Sequence, residues 1–167
     1  MGCDIHMFVE YKIGDAPWQA DKNHRVSEED GYRNLEQFPF TSRNYELFGK
    51  LAGVRTSGPD PKGLPDDASE IIKNSTKEDE NYGDDHSHSY CSFKEYKAAL
   101  KAAGVKLKKH GEIKWDSRDY ESSYSQGIAY IEQQLNRLKI DLEAEKQLLG
   151  QDINTNVEAR LLFWFDN

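Results

Sequence analysis

The segment Val157–Phe165, VEARLLFWF, restricts the fold of this chain more than any other feature. Its apolar residues fall on both sides of the strand alternation, and a strand that is apolar on both faces belongs in the middle of a sheet. The segment Cys3–Lys12, CDIHMFVEYK, alternates differently. Cys3, Ile5, Met7, Val9 and Tyr11 share one face, while Asp4, His6, Phe8 and Glu10 share the other. These two strands are expected to lie close together at the centre of one mixed or antiparallel sheet.

The intervening chain supplies the helices that such a sheet needs. Asn44–Ala52 presents Tyr45, Leu47, Phe48 and Leu51 at helical spacing and stops at Gly53. A turn-rich loop follows, with Gly58-Pro59, Asp60-Pro61, Gly63 and Leu64-Pro65, and loops of this length often carry function. A short helix is expected from Asp67, capped by that side chain with Glu70, before an acidic loop over 78–85. Ser92 and Glu95 form a capping box for a helix ending at Gly104, and 105–115 reads as a hairpin turning at His110-Gly111. Ile128, Ile131, Leu135, Leu138, Leu142 and Leu149 then define a long helix over about 124–149, ended by Gly150. Its heptad spacing allows a homo-oligomer seam, although packing against the sheet is the simpler reading. The expected class is α+β, with residues 1–167 as a single domain.

Charge and composition exclude several roles. A net charge of −8 argues against a duplex nucleic acid as partner, because phosphate neutralisation needs an excess of Lys and Arg. Cys3 and Cys91 are too few for a disulfide framework. The opening residues lack the charged and apolar regions of a signal peptide, and no apolar run approaches the length of a membrane span. A cytoplasmic protein with no membrane contact is expected.

Candidate chemistry concentrates in three places. Asp4 and His6 point the same way from the first strand, and such a pair can hold a metal or a ligand hydroxyl. The run Gly83-Asp84-Asp85-His86-Ser87-His88-Ser89 gathers imidazoles, carboxylates and hydroxyls, and if it is extended His86 and His88 face one way. Arg43 and Arg55 bracket the short helix, with Lys62 in the loop beyond, and arginine suits bidentate phosphate recognition. The structural alternatives are a satisfied polar pair at a sheet end, a capping loop and surface charges. No cofactor is implied. A divalent metal, if bound, would take Asp4, His6, His86 and His88, a set lacking any standard zinc spacing. His6, His88 and Arg55 are expected around one cavity.

Met1–His6, the stretch 43–55 (RNYELFGKLAGVR), Gly63–Asp67, His86–Ser89 and Phe163–Asn167 together resemble a family of small proteins of bacteriophage and bacterial genomes. The resemblance implies a phage-type origin, a bacterial cytoplasm and a counter-defence role against nucleotide immune signals. Capture of such a phosphorylated second messenger would use Arg43 and Arg55 for phosphates and Asp4 or Asp66 for a ribose hydroxyl. Tyr45 or Trp164 would stack on a base, and His6, His86 and His88 would line the pocket. The alternatives are a phosphodiesterase, with the same histidines and Asp4 or Asp85 holding metal or moving protons, and an inhibitor acting through its acidic surface.

Overall fold

The computed structural model describes residues 4–22, 26–29, 32–35, 44–80, 85–114 and 119–166. Arg43 therefore lies outside the described residues, as do Cys3, Asp84 and Trp115. The chain runs β1 (Asp4–Ile13), β2 (Gln19–Ala20), β3 (Val26–Glu29), β4 (Tyr32–Leu35), α1 (Tyr45–Ala52), α2 (Glu70–Glu80), β5 (His86–Ser92), α3 (Phe93–Ala102), a 3-10 turn (His110–Glu112), α4 (Tyr120–Leu149) and β6 (Val157–Asp166). This is the expected α+β class. Among the described residues no helix is long and apolar enough to cross a membrane.

The main sheet has the order β2-β1-β6-β5, with every pairing antiparallel, and β3 and β4 form a separate ribbon. Strands β1 and β6 pair along their whole lengths, from Asp4↔Asp166 to Ile13↔Val157. That central position follows from the apolar character of β6, whose residues 159–165 are all buried. On one face Ile5, Met7 and Val9 join Leu161, Phe163 and Phe165 under α1, α3 and the first half of α4. On the other, Phe8, Leu162 and Trp164 pack against Ala68 and Ile72 at the start of α2. The second face of β1 is thus covered at Phe8 and Glu10 as well.

Burying that face requires its charges to be paired. Glu10 is completely buried and sits opposite Arg160 in the β1–β6 register. The Arg160 Nε and Nη2 groups reach Glu10 Oε2 at 2.8 and 2.7 Å, and Nη1 reaches Asp67 Oδ1 at 2.8 Å. The other Glu10 oxygen accepts the Ser69 backbone N–H at 2.7 Å. Trp18 closes over the guanidinium at 4.0 Å. Asp67 is therefore a sheet tether, and α2 starts at Glu70 instead of at Asp67. The helix also continues through Glu78, Asp79 and Glu80, which were expected in a loop.

Local signals set the other helix ends. Asn44 caps α1 by accepting the Leu47 N–H, and Gly53 closes it in the left-handed region at φ 63°. The Ser92–Glu95 box opens α3 with both reciprocal hydrogen bonds present, at 3.1 and 2.7 Å. Helix α4 begins four residues earlier than its apolar pattern suggests. Asp119 caps it through the Ser122 N–H and also binds Lys108 Nζ at 2.6 Å. Leu135 and Leu138 pack against the core, while Ile140 and Leu148 further along are exposed.

The expected hairpin over 105–115 does not form among the described residues. Two of its backbone donors are taken by hydroxyls of α4 instead: Lys108 N–H donates to Ser125 Oγ and Lys114 N–H to Ser122 Oγ. An N–H satisfied by a helix hydroxyl is not available to a strand partner, and the Lys109 and Glu112 N–H groups bond within the turn itself.

Two predictions follow from these pairings. Glu10→Ala leaves the Arg160 guanidinium buried beside a lost partner and should cost about 3–5 kcal/mol in urea unfolding. The Glu10→Leu/Arg160→Met pair should cost clearly less, and equal losses for the two variants would contradict this account. The second concerns acid. Hydrogen bonds from Lys108 and from the Ser122 N–H hold the Asp119 carboxyl down to about 2. A depressed carboxyl stabilises the fold above its unfolded value, ~3.9, and loses that contribution as pH falls toward about 2. Asp119→Asn keeps a capping oxygen but loses the charge. The stability gap between wild type and this variant, followed by circular dichroism, should therefore narrow over that window.

Candidate functional site

Asp4, His6, His86 and His88, singled out in the sequence, lie at one end of the main sheet, where β1 begins, β6 ends and β5 begins. The arrangement rests on a row of rings across three strands. His6 on β1 stacks on Trp164 of β6 with centroids 5.8 Å apart and planes 12° apart. His88 on β5 stacks on the same indole at 5.4 Å and 26°, and Phe8 covers it at 4.9 Å. Trp164 is consequently fully buried, and its Nε1 finds no hydrogen-bond partner among the described residues. The indole cannot stack on a ligand base, because His6, His88 and Phe8 already occupy its surroundings.

His86 takes a different direction. The register of β5 against β6 slips between His86 and Ser89, and Ser87 adopts φ 57°. A residue in the left-handed region inside a strand breaks the strict alternation of side chains. His86 accordingly stacks on Phe165 at 5.9 Å, on the face opposite the one where His88 meets Trp164. The shared direction expected of an extended His-x-His is thus removed by the bulge. The His86 Nδ1 lies 2.8 Å from Ser87 Oγ.

Beside His86 the chain after α1 forms the wall of a depression of about 540 Å³, lined by Arg55, Thr56, Ser57, Asp60, His86 and Ser87 among others. Arg55 has φ 60°, and its guanidinium carbon sits 5.3 Å above the Tyr45 ring. The loop is held close to the helix by glycine. A Cβ at Gly58 would run into the Gly49 carbonyl, so backbone packs directly on backbone there. Arg55 and Ser87 are the non-glycine residues with positive φ among those described, and both line this depression. Such a conformation costs roughly 1–2 kcal/mol in a residue with a Cβ, and it concentrates where function or packing imposes it.

On the other side of the bulge, His6 Nε2 lies 3.0 Å from Asp166 Oδ2. Asp166 Oδ1 accepts the Asp4 backbone N–H at 3.1 Å. His6, Asp85 and Asp166 each offer one ligand atom, and these atoms lie within 4.8 Å of one another. The expected grouping is therefore redistributed. His6 and His88 share Trp164, but the depression lined by Arg55 contains His86 and Ser87 and neither His6 nor His88. Asp4 and Asp66 do not line it, and Tyr45 sits beneath Arg55. Asp166 was not singled out from the sequence. Its signal was its place two residues after Trp164, which puts both on the His6 face of the central pair.

Cys91 lies deeper in the sheet. Burial, with the Glu95 charge adding to it, pushes its thiol up to about 12, so it carries no nucleophilic chemistry here.

The geometry thus presents a depression of about 540 Å³ with one arginine, hydroxyls and an imidazole, next to a half-buried His/Asp/Asp cluster. No protein-family model, curated protein or solved structure matches the chain.

Ser87 gives a direct test of the imposed backbone. Ser87→Gly removes the left-handed penalty but adds freedom to the unfolded chain, for a net gain of about 0.5–1 kcal/mol in urea unfolding. Ser87→Val should destabilise, since a β-branched residue tolerates φ near 57° poorly. The reverse order of stabilities would show that the bulge is not under this constraint.

Proposed function

We propose that this protein binds a small phosphorylated ligand of the nucleotide class in the depression between the loop after α1 and the start of β5. The observation that carries this reading is the convergence of Arg55 and Ser87, both in costly backbone conformations, on one cavity with His86. A volume of about 540 Å³ lies in the range of small-molecule sites, roughly 300–1,000 Å³. Arg55 supplies the planar donor fork suited to phosphate, and its contact with Tyr45 limits the rotamer freedom lost on binding. The Thr56, Ser57 and Ser87 hydroxyls can donate to further phosphate oxygens, and the Asp60 carboxylate on the same wall suits a ribose hydroxyl. In this reading Asp60 takes the part first expected of Asp4 or Asp66. The biological setting is the one implied by the phage-type resemblance, retention of a nucleotide signal of a bacterial host.

Incubation with a panel of cyclic and ADP-ribose-type nucleotides, followed by heat denaturation and analysis of the supernatant, tests the proposal. The expected result is stoichiometric release of one intact nucleotide class. Arg55→Ala should bind it about 10–100-fold more weakly, the worth of a charge-assisted hydrogen bond of about 1.5–3 kcal/mol. Altered products in the supernatant would replace capture by hydrolysis, and failure of every nucleotide to bind would remove the reading.

A further inference from the structure

We infer that His6, Asp85 and Asp166 form a binding site for a divalent first-row metal ion, separate from the ligand depression. The three residues are far apart in sequence and are brought together by the antiparallel placement of β1, β6 and the residue preceding β5. Their candidate ligand atoms lie within 4.8 Å of one another, and His6 Nε2 and Asp166 Oδ2 are only 3.0 Å apart. Ligands held at about 2.0–2.2 Å from one ion lie at most about 4.4 Å from each other, so atoms already within 4.8 Å need at most small side-chain adjustments to accept one. Both carboxylates are partly buried, and a divalent ion would offset their mutual repulsion.

The surroundings have the form of a metal's outer shell. Asp166 is oriented by the Asp4 N–H, the His6 ring is held against Trp164, and the buried indole with Phe8 supplies an apolar wall. One imidazole and two carboxylates, with no thiolate, favour Mn²⁺, Fe²⁺ or Zn²⁺ over Cu⁺, and the imidazole disfavours Ca²⁺. Three protein ligands leave coordination positions for water. The first expectation of a set drawn from Asp4, His6, His86 and His88 does not match this geometry, because the bulge turns His86 to the opposite face.

The test uses the full chain, treated with EDTA, dialysed, and titrated with Mn²⁺ or Zn²⁺ alone in a calorimeter, with bound metal counted by elemental analysis. The expected result is one equivalent per chain, weakened at least 10-fold in both His6→Ala and Asp85→Asn. Asp85→Asn preserves the His6–Asp166 contact, so it reports on ligation should His6→Ala perturb the strand pair. His110→Ala, on the exposed 3-10 turn, and Arg55→Ala should bind metal as wild type does. Absence of a stoichiometric site would overturn the inference. So would binding that survives in both His6→Ala and Asp85→Asn, or that is lost equally in His110→Ala. Arg55→Ala separates this result from the nucleotide proposal, since neither outcome for metal depends on the depression.

Discussion

The pairing of β1 with β6 is the constraint on which the other features depend. The two strands lie at opposite ends of the chain, yet they match residue for residue from Asp4↔Asp166 to Ile13↔Val157. Because side chains alternate with period two, this single register decides which residues share each face. A slip of one residue would send Phe163 and Phe165 out of the main core and would separate Glu10 from Arg160. Closing so long a loop is entropically costly, and the burial of an almost wholly apolar central strand offsets it. Contacts this distant in sequence also point to slower folding than local helical contacts would give.

The Glu10–Arg160 pair shows how the second face is made dry. A buried ion pair contributes little net stability by itself, since desolvation consumes much of the attraction. Its effect here is positional. Glu10 takes the Ser69 N–H, and Arg160 takes both the carboxylate and the carbonyl of Asp67. The turn-rich loop is thereby fixed across the sheet, with Ala68 and Ile72 set against Phe8, Leu162 and Trp164. The hydrogen bond from Arg160 holds the Asp67 carboxyl below its ordinary range, so this tether persists at neutral pH and loosens only in acid.

At the far end of the same sheet the bulge of β5 performs a sorting step. By turning at Ser87, one short strand sends His86 to the depression beside Arg55 and His88 to the ring row on Trp164. Asp85, just ahead of the bulge, reaches His6 and Asp166. Three consecutive residues, Asp85 to Ser87, thus contribute to two adjoining polar clusters whose other members come from β1, β6 and the loop after α1. A regular strand would have placed both histidines on one side and left the depression without its imidazole.

Much of the architecture was legible in local pattern. The two central strands, the capping box at Ser92, and the stops at Gly53 and Gly150 follow from hydrophobic period and from backbone chemistry that acts over a few residues. His6, His86 and His88 stood out as residue types. Their grouping did not, and neither did the role of Asp166, because each depends on which strand lies beside which. The segment 105–115 read as a hairpin because His110-Gly111 offers a turn at its middle, but Ser122 and Ser125 on α4 take two of its backbone donors. Asp67 read as a helix cap because its spacing to Glu70 fits one, but the buried guanidinium of Arg160 is the stronger partner. The sequence by itself determined the two central strands and the helices α1, α3 and α4, since periodicity and capping are local. Tertiary structure alone decided the site, because charges and rings choose partners by distance in space, and that distance is set by the β1–β6 register and the bulge at Ser87.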